Sequence, residues 1–433
     1  MIYSIKHLIS NSPQDVDSGI FTISTNPTII IADRDGKPVN SYHELVSIED
    51  NDLSESDKDF VAEVWDKTEK FWINKRATMQ AELEMMKENS ASQEEIEKMQ
   101  AKIKSAKCYN GHVTSVIDVL YDPEQNTVTY MMDRCRYSLS RATSMDNFPN
   151  RDVIANKLSF GLGMGCLMDI EIAPLKSSLL MLERSDTVHT EKKAFCIPAG
   201  TMEYTEECDP IKIGLKAVAL NEVYEEILAT RQYMLTKHPE LSRREINKFP
   251  EFTFDSALAS IQWARRPNGT VGLNNFHNII SDKTISMENI FTGYTQAEDA
   301  NESTGEMKFV NLESESKLVQ PHVVKPHDIV ALHDKIDPET KTKKLDHTGI
   351  AALTTAYVSH TRQNFSDFTP SLAALAEEFA KFNILEFAQL NNKIIPPNPY
   401  DTTIPKRAPY LRIKDGKADT SPLKEGNHFE RTQ

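Results

Sequence analysis

Residues 211–228 read IKIGLKAVALNEVYEEIL, and this stretch decides the fold that we expect for the chain. Glu222, Glu225 and Glu226 stand at positions i, i+3 and i+4, so an α-helix would collect the three carboxylates on one face. The opposite side of the same helix would be apolar, through Ile213, Ala217, Leu220, Val223 and Ile227. The spacing therefore predicts an amphipathic helix that packs on a core and presents its acids outward.

Two interpretations of these three acids differ in function. Most acidic clusters on amphipathic helices are solvated surface. Against that interpretation, no Lys or Arg stands three or four residues from any of the three acids. Their mutual repulsion of roughly 0.2–0.5 kcal/mol per pair is therefore not relieved by a sequence neighbour. A hard divalent cation bound by carboxylate oxygens would relieve it, so we predict a divalent-cation site on this helix.

The composition indicates a globular protein of acidic character. Of 433 residues, 39% are hydrophobic, and 49 Lys and Arg stand against 64 Asp and Glu, which gives a net charge of -15. That charge repels phosphate backbones and argues against a nucleic-acid partner. A bound cation can still reverse the local sign for a small phosphate substrate. Five cysteines without CxxC spacing, and no apolar run near the roughly 20 residues of a membrane span, predict a cytoplasmic protein without membrane contact.

The order of predicted elements gives an α/β chain in five segments. Residues 1–56 carry short strands (20–33) and a loop, 57–108 form helices with a hairpin insertion, and 109–317 form the core that contains the acidic helix. Residues 318–393 are predicted to be mostly helical, with 372–390 as the clearest helix, and 394–433 to be an extended or mobile tail. Within the core, strands are predicted at 113–120, 127–132, 158–172, 178–183, 271–280 and 290–295, and helices at 211–237 and from Ser242.

Two apolar stripes within residues 78–105 predict a helical hairpin. Ser92 and Glu95 have the spacing of a capping box that starts its second helix. The hairpin is open to two interpretations: an arm through which two copies form a homodimer, or an insertion packed only on its own core. The small number of heptads favours the second. The stripes consist of Met79, Leu83 and Met86, and of Ile96, Met99 and Ile103.

Further motifs lie upstream of the acidic helix. An apolar strand ending at Arg184 precedes residues 198–203, which read PAGTME, and Glu206 follows. Together with residues 221–226 they resemble the signature of the Nudix family: Gly, five residues and Glu, then Arg-Glu, a hydrophobic residue, any residue and Glu-Glu. Gly200 and Glu206 match its first half. Fourteen residues then intervene where the signature has seven, and Asn221 and Leu228 replace its Arg and its last Gly.

Other segments resemble the UDP-sugar diphosphatase branch of that family, which tolerates a long insert at this point. They are AEVWD (62–66), YNG (109–111) and LSFGLGMG (158–165), and they occur in the order of that branch over residues 61–312. The glycines of the last segment are interpreted as small residues that let a strand pack closely, in preference to a nucleotide-binding loop.

The resemblance implies a Nudix-type mixed sheet sandwiched between helices. It also implies a metal held by the Gly200 carbonyl and the three helix glutamates, with Glu206 in a supporting catalytic role. Arg184 and Glu203 are implied as substrate-binding residues. Glu306 is a candidate for a further metal ligand or base, although an ordinary surface glutamate is the favoured interpretation there.

The expected reaction is Mg2+-dependent hydrolysis of a nucleoside diphosphate linked to another moiety. A nucleotide sugar such as UDP-glucose is the leading substrate, giving a nucleoside monophosphate and a sugar phosphate. ADP-ribose and dinucleoside polyphosphates are alternatives within the family. Asn221 and Leu228 favour another class, a catalytically degenerate fold that acts as a binding or interaction module, whereas the retained glutamates favour an enzyme.

Overall fold

The computed structural model describes residues 1–12, 18–23, 25–93, 96, 99–100, 103, 108–172, 175–184, 195–266, 268–283, 285, 289–290, 303–311, 323–324, 352, 355, 367–369, 384–385, 413–414 and 417–418. The strands up to residue 311 are β1 Tyr3–Ser4, β2 Ser18–Thr22, β3 Thr28–Ala32, β4 His112–Asp122, β5 Thr127–Arg136, β6 Ser159–Ile172, β7 Leu175–Arg184, β8 Phe195–Cys196, β9 Ala199–Thr201, β10 Glu203–Tyr204, β11 Phe254–Arg265, β12 Val271–Ser281 and β13 Ser303–Asn311. Five short strands follow: β14 Val323–Val324, β15 Asp367–Thr369, β16 Ile384–Leu385, β17 Ile413–Lys414 and β18 Lys417–Ala418.

The helices are α1 Ile5–Ser10, α2 Ile48–Asn51, α3 Glu55–Glu88, α4 Tyr137–Thr143, α5 Arg151–Asn156, α6 Pro210–Ile213, α7 Leu215–Glu226, α8 Arg231–Lys237 and α9 Arg243–Ile246, with a 3-10 turn at Tyr42–Glu44. The capping box predicted at Ser242 starts α9, with Glu245 as its reciprocal partner. A second capping box, between Ser54 and Asp57, starts α3. In the described part of the chain, no helix combines the length and apolar character needed to cross a membrane.

Strands β1 to β16 form a curled mixed sheet in which β6 is central, and β17 and β18 pair with each other in a separate two-stranded sheet. It pairs antiparallel with β4, β7 and β9 and parallel with β12. The sheet continues from β12 through β11 to β2, and from β7 to β13, by antiparallel pairs. Strand β4 also pairs with β1, β5 and β10, and β3 runs parallel to β5. The predicted α/β class with a mixed sheet is confirmed.

Glycines allow the close packing of β6. A Cβ on Gly165 would lie 2.7 Å from the Phe276 ring, and one on Gly163 would lie 1.9 Å from the Asn274 amide oxygen. Any larger residue would therefore push neighbouring β12 side chains away. This confirms the close-packing interpretation of these glycines.

Helix α7 covers the apolar core above β6. Its apolar stripe and alternate residues of β6 belong to one buried cluster. Burying each side chain of Leu or Val size contributes about 1.5–3 kcal/mol, so the stripe fixes how α7 lies on the sheet. The buried residues of α7 are Leu215, Val218, Ala219 and Val223, and those of β6 in the same cluster are Leu162, Met164, Cys166 and Met168. Of the apolar side that the sequence predicts, Val223 and Ile227 are buried, Ala217 and Leu220 are half-buried, and Ile213 is 41% exposed.

Most predicted core elements are present, with differences at two places. The helix predicted over 211–237 is divided into α6, α7 and α8, because Gly214 has φ of +82° and the chain leaves the helix again after Glu226. Strand β11, which joins β12 to β2, is not predicted by the sequence pattern. Its centre reads ALAS, and these residues have little intrinsic β preference.

Two predicted elements are wrong at the residues that the structure describes. Ile290 is helical, whereas a strand is predicted at 290–295. Ile384–Leu385 form β16, which pairs with β13 and β14, whereas a helix is predicted at 372–390. At Ile384–Leu385, pairing with β13 and β14 overrides the helical spacing of the sequence. The rest of these two segments lies outside the described residues.

The chain turns at Ser90, between the two helices that the sequence predicts for the hairpin arm. Ser90 has φ of +57° and the Ala91 N–H bonds the Met86 carbonyl, which ends α3. The Ile96 N–H then bonds the Ser92 carbonyl, the i to i-4 bond that starts a new helix. Glu95, the predicted partner of Ser92 in the capping box, lies outside the described residues.

A buried ion network ties the N-terminal segment to β5. The side chain of Asp133 is fully buried, and it accepts bonds from Arg34 Nε at 3.0 Å and Nη2 at 2.9 Å. Lys157, only 6% exposed, binds the same carboxylate. Asp52 accepts a second bond from Arg34 at 2.9 Å. Asp52 also lies 3.6 Å from Lys157 Nζ, so the two cations share the buried Asp133 and the more exposed Asp52.

We predict that Asp133→Asn lowers the free energy of unfolding by about 3–5 kcal/mol, because it removes the buried anion of the buried Lys157 ammonium and leaves only Asp52, 3.6 Å away and 26% exposed. Urea denaturation measures the change. Asp66→Asn is the matched control, since it removes an exposed pair with Lys70 that contributes at most about 1 kcal/mol. Equal losses in the two variants would contradict a special role for the buried network.

Candidate functional site

The candidate site lies where the C-terminal half of α7 meets β9. Val223 is fully buried beneath the helix. Glu222 and Glu226 are one turn apart, within about 40° of each other around the helix axis, and both are half-buried. Packing of the apolar stripe therefore directs these two carboxylates toward β9.

The absence of a side chain at Gly200 makes room for Glu222. A Cβ built on Gly200 would lie 2.0 Å from Glu222 Oε2 and 2.2 Å from the carboxylate carbon. Such distances are far below van der Waals contact, so the carboxylate rests directly on the glycine backbone. The sequence prediction that Gly200 and Glu222 belong to one site matches this placement.

Gly200 and Ala199 direct their backbone groups to opposite sides of β9. The Pro198 carbonyl accepts a bond from β6 and the Met202 N–H donates one to β6, each at 2.8 Å. In an antiparallel ladder, hydrogen-bonded and non-hydrogen-bonded residue pairs alternate. The backbone N–H and C=O of Gly200 therefore also point toward β6, and those of Ala199 point away from it. The Ala199 N–H accordingly donates to Glu226 Oε2 at 3.2 Å. The backbone oxygen on the α7 side is thus that of Ala199, whereas the resemblance implies that of Gly200.

Glu225 differs from the expectation that all three helix acids share one cluster. Its Oε1 accepts a bond from the Tyr233 hydroxyl at 2.9 Å and pairs with Lys237 Nζ at 3.1 Å, both on α8. Around the helix axis, Glu225 lies about 60° from Glu222, on the side opposite to Glu226. Lys237 is twelve residues from Glu225 in the sequence, so the i, i+3 and i+4 spacings of a helix do not reveal this partner.

Cys166 lies beneath the two remaining carboxylates. Its Sγ donates to the Ala219 carbonyl of α7 at 2.9 Å. Burial raises the pKa of this thiol well above its ordinary value, and the charges of Glu222 and Glu226 raise it further. The residue is therefore a neutral thiol in the floor of the site. All five cysteines are among the described residues, and none forms a disulfide.

The other predicted site residues lie on other segments of the chain. Glu206 is exposed in the loop after β10. Glu203 on β10 accepts a hydrogen bond from Tyr109; burial raises the pKa of the Tyr109 phenol, and this carboxylate raises it further. Arg184 ends β7 and its Nη1 lies 3.9 Å from Cys196 Sγ. Glu306 lies on β13, but its side chain is outside the described part of the structure.

The donor set determines which cation the site could hold. Within the described part of the chain, no group of three or more His, Cys, Asp or Glu side chains is placed to bind a metal ion. Glu222 and Glu226, with the Ala199 carbonyl, are hard oxygen donors. Mg2+ is usually bound through one or two carboxylates, with waters and substrate phosphates completing its shell. The residues present therefore fit Mg2+ better than a cation that needs a closed protein cage.

Comparison of this chain with models of known protein families gives no match, and the search of curated proteins gives none either.

We predict that Gly200→Ala costs about 1–3 kcal/mol of stability, because the new methyl group displaces the Glu222 carboxylate. The cost should largely disappear in a Glu222→Ala background, which a double-mutant cycle by chemical denaturation measures. Gly272→Ala is the control, since the nearest atom to its Cβ would be 3.8 Å away. Additive effects of Gly200→Ala and Glu222→Ala would show that the two residues do not touch.

A second prediction concerns His277, which is fully buried beneath α7 and lies 3.5 Å from Ser256 Oγ. Burial lowers its pKa to about 3, with Lys216 as the second cause. In the unfolded chain this imidazole therefore binds a proton below about pH 6.5, whereas in the folded chain it stays neutral down to about pH 3. The free energy of unfolding consequently falls as the pH falls through this range.

Removing this imidazole should lower the slope of the free energy of unfolding against pH, on the acid side, by about 1.4 kcal/mol per pH unit. Chemical denaturation of His277→Gln between pH 6 and 4 measures the slope, which is informative even if the variant is less stable at neutral pH. His7→Gln, at an exposed position, is the control. An unchanged slope in His277→Gln would mean that the imidazole is not held neutral by burial.

Proposed function

We propose that the chain is a Nudix-type pyrophosphohydrolase that uses Mg2+ (or Mn2+) to hydrolyse a nucleoside diphosphate linked to another group. A nucleotide sugar such as UDP-glucose is the proposed substrate, with a nucleoside monophosphate and a sugar phosphate as products. The proposal is supported by one observation above the others: Glu222 and Glu226, one turn apart, meet the backbone of Ala199 and Gly200.

The residues that would hold the cation are Glu222, Glu226 and the Ala199 carbonyl. A bound Mg2+ would neutralise the charge of the pyrophosphate oxygens, which the chain's net charge of -15 would otherwise repel. The Ala199 N–H, at 3.2 Å, fixes the orientation of the Glu226 carboxylate. Carboxylates at this position can also accept the proton of an attacking water.

Arg184 is the proposed phosphate ligand. It lies on the strand that leads into the β8 and β9 segment, and guanidinium binds phosphate oxygens through paired hydrogen bonds. Glu203, on the strand after β9, is the proposed contact for the part of the substrate beyond the pyrophosphate. Its bond with Tyr109 keeps the carboxylate in one orientation.

A second candidate function is a binding module without catalysis. Two observations favour it: Asn221 stands where the family signature has Arg, and Glu225 is neutralised by Lys237 at 3.1 Å. In this alternative a nucleotide would bind and would not be turned over. A panel of UDP-glucose, ADP-ribose and a dinucleoside polyphosphate separates the two functions and the substrates within the first.

We predict that turnover of the best substrate requires Mg2+ or Mn2+ and stops in excess EDTA. Glu222→Gln and Glu226→Gln should each lower kcat by about 100-fold, which corresponds to about 2.7 kcal/mol of transition-state stabilisation. Release of monophosphate product is the measurement.

The matched control is Glu225→Gln, which removes the same charge from the same helix at a position already bound by Lys237. It should lower kcat less than 10-fold. Turnover that persists in EDTA, or full activity in both Glu222→Gln and Glu226→Gln, would falsify the proposed mechanism. Binding of a nucleotide without product would instead favour the module.

A further inference from the structure

Two arginines, Arg141 and Arg266, have no acidic partner in the described part of the chain. Arg141 lies in the last turn of α4, and Arg266 directly follows β11. The Arg141 Nε atom is buried without a hydrogen-bond acceptor, and the Arg266 guanidinium forms no hydrogen bond or ion pair with a described residue. Acids outnumber bases by 64 to 49 in this chain, and Arg34 alone is bound by two of them. Two arginines without an anion therefore need an explanation.

The two arginines lie on segments that contact each other. Asn268, two residues after Arg266, donates from Nδ2 to the Thr143 carbonyl at the end of α4, at 2.7 Å. Ser140 Oγ, next to Arg141 in the same helix, donates to a β6 carbonyl at 2.7 Å. Both guanidiniums therefore extend from backbone positions that hydrogen bonds fix relative to the central sheet.

The charges of the two guanidiniums repel each other. Burial lowers the pKa of Arg266; Tyr137 opposes this shift, and the Arg141 guanidinium adds to it. A simpler role for Arg141 is to stabilise the C-terminal end of α4, whose carbonyls carry about half a negative charge. That role leaves Arg266 without any counter-charge. One anion bound by both guanidiniums would neutralise both and remove their repulsion.

Two glycines leave room beside these arginines. A Cβ on Gly272 of β12 would lie 3.8 Å from Arg266 Nη2, and one on Gly161 of β6 would lie 3.9 Å from Ser140 Oγ of α4. Strand β6 has one extra residue between its pairs on either side of Gly272, so the two glycines are neighbours on adjacent strands. At these positions the sheet contributes no side chain, which leaves space for a small ligand.

We propose that Arg141 and Arg266 bind the phosphate group of a small molecule, either a phosphate monoester or inorganic phosphate. Such a group carries about -1.5 to -2 charges at pH 7, which matches two guanidiniums. Guanidinium also binds phosphate oxygens through paired hydrogen bonds. A nucleic acid does not fit, because each of its phosphates carries one charge and the net charge of -15 repels its backbone. This site uses none of the residues of the proposed pyrophosphohydrolase and does not depend on that function.

Isothermal titration calorimetry of the full chain with inorganic phosphate and with adenosine monophosphate tests the site. The buffer is freed of divalent cations with a chelating resin, so a cation at Glu222 and Glu226 cannot bind the phosphate. Arg141→Gln and Arg266→Gln should each weaken binding of the tighter probe at least about tenfold, because each removes charge-assisted hydrogen bonds. Arg244→Gln, which removes the same charge from an exposed position on α9, should leave the affinity unchanged.

The two probes distinguish the sources of the phosphate group. Tighter binding of adenosine monophosphate supports an organic monoester as the ligand, and equal or tighter binding of inorganic phosphate supports the free ion. Dimethyl phosphate has a similar shape but carries a single charge, so it should bind at least about tenfold more weakly than the better probe. Equal binding of dimethyl phosphate would contradict a site built for two charges.

Thermal denaturation gives an independent measure. Millimolar phosphate should raise the Tm of the unmodified chain and of Arg244→Gln, because a ligand that binds only the folded state stabilises it. The Tm of Arg141→Gln and of Arg266→Gln should not rise. Each shift is taken against the same variant without phosphate, so it is informative even if a variant is less stable. Absence of binding to the unmodified chain, full affinity in both site variants, or an equal loss in Arg244→Gln would overturn the proposal.

Discussion

Burial of the apolar stripe of α7 against β6 is the constraint on which the candidate site depends. Val223 and Ala219 are fully buried, so the helix cannot rotate without exposing them. Rotation being fixed, Glu222 and Glu226 must point toward β9. Gly200 then has to be a glycine, because its Cα lies against the Glu222 carboxylate. The positions of the carboxylates thus follow from hydrophobic burial and from one close backbone approach.

The same constraint explains how three neighbouring acids come to have different surroundings. Glu226 receives a backbone N–H from β9, whereas Glu225 receives a hydroxyl and an ammonium from α8. Cys166 below them stays a neutral thiol, because burial and the two carboxylates both disfavour the thiolate. One helix therefore presents one acid toward α8 and two acids toward the strand backbone of β9.

Much of this arrangement is predictable from the sequence. Period-two and helical spacings locate β4 to β7, β12 and α7, and the i, i+4 relation of Glu222 and Glu226 predicts their shared face. The division of residues 211–237 into three helices is harder to predict, because only a single glycine, Gly214, marks the end of α6. Local sequence patterns do not predict the partner of Glu225, because Lys237 comes close to it only through the turn of the chain between α7 and α8. To predict that the backbone groups of Ala199 point away from β6, one must know the register between β9 and β6, and no local sequence pattern gives that register.

The most direct test of a cation site at Glu222 and Glu226 is binding of Mn2+ to the full chain, followed by electron paramagnetic resonance without any nucleotide. We expect a bound ion whose affinity falls at least about tenfold in Glu222→Gln and in Glu226→Gln, because each variant loses one carboxylate ligand of a hard cation. Glu225→Gln should leave the affinity nearly unchanged. Absence of a bound ion in the unmodified chain, or an equal loss in Glu225→Gln, would contradict the account.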